Sequence, residues 1–268
     1  MNTVFKLDKV SLIKRKKIIL QDVSQTIPQN KIITLMGVNG AGKTSLLRIL
    51  AGLEKPTGGN VFLFQKDISN LTRKQFAQQV CYIPQKHNGI FAYTVKDFVV
   101  MGRNPYQSAI RQPSKNDWAY TDYILDKLNL RNFSEMPYTH LSSGEERLVL
   151  LARGLVQNAP VMLLDEPASN LDFYNEHKLM ELICNLCKEE KKTIIISIHN
   201  PSIAIQYSDI IYCIYKNTIF KKIEKTEIDF DKKIIESLNL MYGTDKKNAL
   251  HLHRLDGNAF VYKTSSKT

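Results

Sequence analysis

The residues best suited to chemistry start with Gly37-Val38-Asn39-Gly40-Ala41-Gly42-Lys43-Thr44, which fits G-x-x-x-x-G-K-[ST] throughout. Glycines let such a loop curl so that backbone N–H groups turn inward onto phosphate oxygens. A helix opening at the loop's end adds its N-terminal dipole. Lys43 supplies a point charge for the terminal phosphates of a nucleotide, and Thr44 a hydroxyl for Mg²⁺. The candidate nucleotide-binding set is Gly37, Asn39, Gly40, Ala41, Gly42, Lys43, Thr44 and Ser45. A second constellation is Val161-Met162-Leu163-Leu164-Asp165-Glu166-Pro167, an apolar run ending in two carboxylates. Asp165 is suited to the Mg²⁺ shell, and Glu166, one residue on and facing elsewhere, to polarising an attacking water. The plainer alternative is an acidic cap on the next helix.

These groups need a scaffold, and the hydrophobic pattern supplies one. Continuous apolar runs at Ile32–Met36, Val80–Ile83, Val161–Leu164, Thr193–Ile198 and Ile210–Tyr215 have the length and β-branching of strands buried on both faces of a mostly parallel sheet. Helical periodicity follows at Lys43–Leu53, Glu145–Val156 and Glu176–Glu189, so the P-loop lies between a strand and a helix, the setting that confirms it. Residues 1–30 and Gly58–Phe64 read as antiparallel strands with turns. Between 86 and 158 helices dominate (Val95–Met101, Trp118–Leu128), interrupted by Pro105, Pro113 and Pro137. The expectation is a single domain over 1–268: an α/β core with an antiparallel β subdomain, a helical insertion over 86–158 and a short C-terminal extension over 217–268.

Composition bounds the function classes. The chain has 268 residues, 43% hydrophobic and 24% charged, enough for a sizeable core. No run approaches a membrane span, and the first ten residues lack the apolar core of a secretory signal, so a soluble intracellular chain is expected. Four cysteines are too few for a disulfide framework, and Cys184-x-x-Cys187 falls in an amphipathic helical pattern rather than a metal knuckle. The net charge of +11 suits nucleic acid, nucleotide phosphates or an anionic membrane face equally and does not choose among them. His251 and His253 alternate as a metal-binding pair or a solvated strand face would.

A third motif narrows the field. Leu141-Ser142-Ser143-Gly144-Glu145 resembles the L-S-G-G-E signature of the ABC ATPases, and it stands shortly before the Asp-Glu strand as in that family. Gln85 in Tyr-Ile-Pro-Gln resembles the Q-loop glutamine, Ser169-Asn170-Leu171-Asp172 the D-loop, and His199 the switch histidine. The resemblance covers at least residues 4–216. It implies a P-loop NTPase fold of the ABC type, with Glu166, His199 and Gln85 catalytic. Thr44, Gln85 and Asp165 would hold Mg²⁺, and Ser142 and Gly144 would meet the ATP held by a second copy in a head-to-tail homodimer. Four departures stand out: Ser143 for glycine, Arg147 for glutamine, Asn200 for aspartate, and Lys14 where an aromatic residue usually stacks on adenine.

The stretch from Phe91 to Tyr106, FAYTVKDFVVMGRNPY, is similar to importer ATPases for iron–siderophore, haem and cobalamin, with a Phe-Ala-Tyr version in molybdate and tungstate importers. That implies a subunit on the cytoplasmic face of the inner membrane. It would bind integral membrane permeases directly and a periplasmic or lipoprotein substrate-binding protein indirectly, with Arg103 on the permease-facing surface. Direct binding to nucleic acid is not expected. A permease-free ABC ATPase acting on nucleic acid or a protein assembly, and a regulatory ATP binder, are the readings of other classes.

Overall fold

The computed structural model describes residues 2–85, 93–107, 112–169, 171–244 and 249–263. In chain order the elements are β1 (Thr3–Lys14), β2 (Lys17–Pro28), β3 (Ile32–Met36), α1 (Lys43–Leu50), β4 (Gly58–Leu63), β5 (Lys66–Asp67), α2 (Arg73–Ala77) and β6 (Val80–Ile83). Then come α3 (Val95–Val100), α4 (Lys115–Lys127), α5 (Ser143–Val156), β7 (Val161–Asp165), α6 (Phe173–Glu189), β8 (Thr193–Ser197) and α7 (Pro201–Tyr207). The chain closes with β9 (Ile210–Tyr215), β10 (Thr218–Glu224), α8 (Phe230–Tyr242), β11 (Leu250–Leu255) and β12 (Asn258–Lys263).

Among the described residues the central sheet runs β10-β9-β3-β8-β7-β6, parallel except for β10 at one edge. A smaller antiparallel sheet, β2-β1-β4-β5, and the β11–β12 hairpin complete the β structure. Strand periodicity explains the layering. On β8, Ile194 and Ile196 join one apolar cluster with the helices α3 to α8, whereas Ile195 joins the other with α1 and the antiparallel sheet. A parallel strand buried on both faces has no polar side, which is why its sequence reads as a continuous apolar run.

Three helices start two or three residues before the periodicity predicts, because their caps lie outside the apolar pattern. Ser114, Ser142 and Asp172 each accept the backbone N–H three residues on. The helix expected to reach Leu53 instead ends at Leu50, ahead of the left-handed Gly52. Cys184 and Cys187 lie on α6 as free thiols, and burial pushes the Cys187 thiol up to about 12. His251 and His253 are exposed on β11. Residues 86–92, with Phe91 and Ala92, and Asn170 lie outside the described residues.

Candidate active site

The parallel strands end together, and the candidate residues follow their C-terminal ends, where an open α/β sheet presents its ligand crevice. β3 delivers the P-loop. Gly42 adopts a left-handed φ of 102° with the Ile19 carbonyl 2.9 Å from where a Cβ would sit, so only glycine passes there. At Gly37 an added Cβ would lie 2.6 Å from the Ile214 carbonyl, which fixes how closely the loop hugs β9. Helix α1 has no acidic residue of its own in its first turn, which leaves the positive end of its dipole turned to the loop. Lys43 is buried and folds back to donate to the carbonyls of Gly37 (2.7 Å) and Val38 (3.1 Å). Burial holds its pKa below the ordinary lysine value, against the opposing pull of Glu166 and Asp165.

β7 ends at the two carboxylates, and they do point apart. Asp165 is buried; its Oδ1 accepts from Thr44 Oγ1 (3.1 Å) and Ser197 Oγ (2.7 Å), and its Oδ2 from the Tyr82 hydroxyl (3.3 Å). Glu166 takes a left-handed φ of 47°, a conformation a residue with a Cβ keeps only when its surroundings enforce it. That turn aims its carboxylate at Gln85, whose amide nitrogen donates at 2.6 Å, and at Nε2 of His199. Gln85 follows β6 and His199 follows β8, so three strand ends converge on one carboxylate.

Asn39, Gly40, Gly42, Lys43, Thr44, Ser45, Gln85, Glu166 and His199 line one cleft of about 520 Å³, with Lys17 and Ile19 as its remaining wall. Of the other candidates, Gly37 is buried beneath that cleft, Ala41 closes the loop through its N–H to Val38 (3.2 Å), and Asp165 sits behind Thr44. Ser142 and Gly144 lie elsewhere. They line a separate cleft, with Leu128, Leu130, Phe133 and Leu171 on its apolar side and Lys127, Arg147 and Lys178 among its charged residues.

The helix that carries the signature-like motif begins with its own cap. Ser142 and Glu145 form a capping box, in which the Glu145 carboxylate accepts from the Ser142 N–H (2.8 Å) and hydroxyl (2.6 Å). These bonds hold the Glu145 carboxyl below its usual range. Ser143 opens α5 without a positive φ, so the lost glycine costs no strain.

Sequence reasoning passed over Ser197, Tyr82 and Arg147 as site residues. Arg147 ties α5 to the Pro84 carbonyl (3.3 Å) and the Ser169 hydroxyl (3.0 Å), linking the signature helix to the segments carrying Gln85 and Leu171. The available signal for the other two was a hydroxyl in or at the end of a mostly apolar strand, Tyr82 within β6 and Ser197 closing β8. Arg103, expected at a partner surface, is partly buried. It donates to Asp117 (2.8 Å) and the Val156 carbonyl (3.1 Å) and stacks on Tyr106.

Comparison with known proteins shows the family. A family model described as ABC transporter matches residues 20–169. The chain is 34% identical over 237 residues to an uncharacterised ABC transporter ATP-binding protein of Haemophilus influenzae, covering 88% of each chain. It is 30% identical over 238 residues to the petrobactin import ATP-binding protein FpuD of Bacillus anthracis, covering 89% of this chain and 87% of that one. An inward-facing structure of an ABC transporter assigned to the metal-chelate type superposes with a TM-score of 0.82 at 24% identity, over 98% of this chain and 97% of the other, a likeness of fold. A family match over more than half of the chain, joined to a relative aligned along most of its length, places this protein among the ABC transporter ATP-binding proteins, as an ATPase whose hydrolysis of ATP is coupled to transport.

Proposed function

We propose that this chain is the ATPase subunit of an importer for an iron(III) chelate of siderophore type, with a separate permease as its membrane partner and a substrate-binding protein acting through that permease. The observation that carries the catalytic half is the Glu166 carboxylate, held between Gln85 and His199 at the mouth of the P-loop cleft. Glu166 polarises the attacking water, and its left-handed backbone sets the approach. His199, half-exposed beside it, steadies that carboxylate and senses the terminal phosphate. Lys43 leaves the Gly37 and Val38 carbonyls to meet the phosphates, joined by the loop N–H groups and the α1 dipole.

The donor set suits Mg²⁺: the Thr44 hydroxyl, the Asp165 carboxylate and the Gln85 amide oxygen are hard oxygens of the kind this ion takes. When bound, the ion neutralises phosphate charge. Ser142 and Gly144 line a different cleft from the P-loop residues, which favours ATP sandwiched between two copies, each supplying its signature helix to the other. The cargo class rests on the petrobactin import relative and on the Thr94–Tyr106 stretch.

Glu166→Gln tests the catalytic reading. It is expected to bind ATP as the wild type does, to lose on the order of 10²–10⁴-fold in turnover, and to accumulate as an ATP-bound dimer on gel filtration. Unchanged turnover removes Glu166 from this role.

A further inference from the structure

We infer that Ser197 is the positioning residue that sets both carboxylates of the site, through its hydroxyl and not its bulk. The inference rests on the roles proposed above for Asp165 and Glu166. Ser197 ends β8, the strand between β3 and β7, so it stands level with Leu35 of the P-loop strand on one side and with Asp165 on the other. Its side chain is 0% exposed, in a strand otherwise composed of threonine and isoleucine. A hydroxyl buried this way must find partners, and both of its partners belong to the catalytic pair. It donates to Asp165 Oδ1 at 2.7 Å and accepts from the Glu166 backbone N–H at 2.9 Å.

The two bonds do different work. The ladder of β7 ends at Asp165, so the Glu166 N–H has lost its place in the sheet, and Ser197 Oγ supplies the acceptor. That bond fastens the left-handed φ of 47°, which in turn aims the carboxylate at Gln85 and His199. The other bond is the shorter of the two reaching Asp165 Oδ1, the Thr44 contact being 3.1 Å. Without the hydroxyl, the Glu166 N–H loses its acceptor, so its left-handed backbone is held only through the side chain, and Asp165 keeps only the longer bonds from Thr44 (3.1 Å) and Tyr82 (3.3 Å). One oxygen atom therefore couples the metal-facing carboxylate to the water-facing one, and its removal disturbs both.

The test uses the full-length chain with Ser197→Ala, and with Ser197→Val and Ser197→Thr, which share a shape and differ in the hydroxyl. Thermal melting establishes that each variant is folded. The Mg²⁺ concentration that half-saturates hydrolysis is expected to rise, and kcat to fall, on the order of 10–100-fold in the alanine and valine variants, as for other groups that orient metal ligands. Nucleotide binding measured in EDTA should stay at the wild-type level, because the P-loop is untouched. Threonine should restore most of both losses. In the ligand-free protein, amide exchange in the peptide spanning Asp165 and Glu166 should speed up in the alanine and valine variants and remain slow with threonine. Equal losses in valine and threonine, or an alanine variant with wild-type Mg²⁺ dependence and exchange, overturn the inference. Glu166→Gln is measured alongside. If it alone turns over normally, the base assignment fails, while the Mg²⁺ titration and the exchange rates still decide Ser197.

Discussion

Lys14 shows how much a single side chain's partner matters. It occupies the position where the family usually places an aromatic ring, but its ammonium is turned to Glu54 Oε1 at 2.5 Å, with Arg48 on the other oxygen at 3.6 Å. What remains for the base is the wall formed by Ile19 and the Lys17 stem, an aliphatic surface with a mobile charge. Base–aromatic stacking contributes about 1–3 kcal/mol, and no aromatic ring lines this cleft among the described residues. Selectivity for adenine should be correspondingly low. In competition against a fluorescent ATP analogue, GTP and ATP are expected to agree within a factor of about ten, equivalent to about 1.4 kcal/mol. Ile19→Tyr should tighten ATP binding by on the order of 1 kcal/mol. Strong discrimination by the wild type would mean that another group reads the base.

At the level of elements, caps and tethers decide where the site-bearing helices begin. The Thr94 hydroxyl caps α3, the Ser114–Asp117 box opens α4, and Arg103 reaches from the turn after α3 to Asp117 and to the end of α5. Burial works against the Asp117 carboxylate, but hydrogen bonds from Arg103 and Ser114 outweigh it and hold its pKa below the ordinary value. A carboxyl lowered in the native state stabilises above its unfolded pKa and loses that contribution as pH falls through the native one. Arg103→Ala should therefore cost on the order of 2–3 kcal/mol near neutral pH, from the broken partly buried pair and the orphaned acceptors. The difference from wild type should shrink below about pH 4, where the unfolded carboxyl protonates. Melting temperatures across pH 3–7 check this. A variant as stable as wild type would return Arg103 to a surface role.

The whole molecule separates two jobs. The parallel sheet with α1 carries the P-loop cleft, and the end of α4, the start of α5 and one face of α6 line the second cleft beside the signature motif. Lys127 of α4 meets Glu190, just past α6, at 2.9 Å, one of the bonds fastening the helical region to the core. No helix among the described residues is long and apolar enough to cross a membrane. On the proposed importer reading the membrane component is a separate permease, and the tagged chain drawn from membranes in mild detergent should bring a polytopic protein with it. Cells lacking the chain should lose most uptake of a radiolabelled iron(III)–siderophore complex and recover it with the wild-type gene but not with Glu166→Gln. Co-purification of nucleic acid or ribosomes without any membrane protein would contradict the importer reading.

The P-loop and the Asp165–Glu166 pair are legible in the linear sequence because each depends on local order, a glycine pattern or polar residues just past an apolar strand, whereas Gln85 and His199 are single residues marked out only by the family resemblance. The buried strands are legible for the same reason, since burial on both faces writes a continuous apolar run. Helix starts were recoverable too, from Ser114, Ser142 and Asp172 with their partners three residues on, but only by reading caps rather than periodicity. What no local pattern encodes is which strand lies beside which. The order β3-β8-β7-β6 brings Ser197 to Asp165 and Gln85 to Glu166 across 32 and 81 residues of chain. Tertiary packing likewise turns Lys14 to Glu54 and pairs Arg103 with Asp117, contacts that no local pattern predicts. The sequence by itself determined the chemistry available, because side-chain type and local backbone freedom are properties of short segments. Only the tertiary structure decided which groups hold one another in place, because hydrogen bonds across a sheet depend on strand adjacency and register.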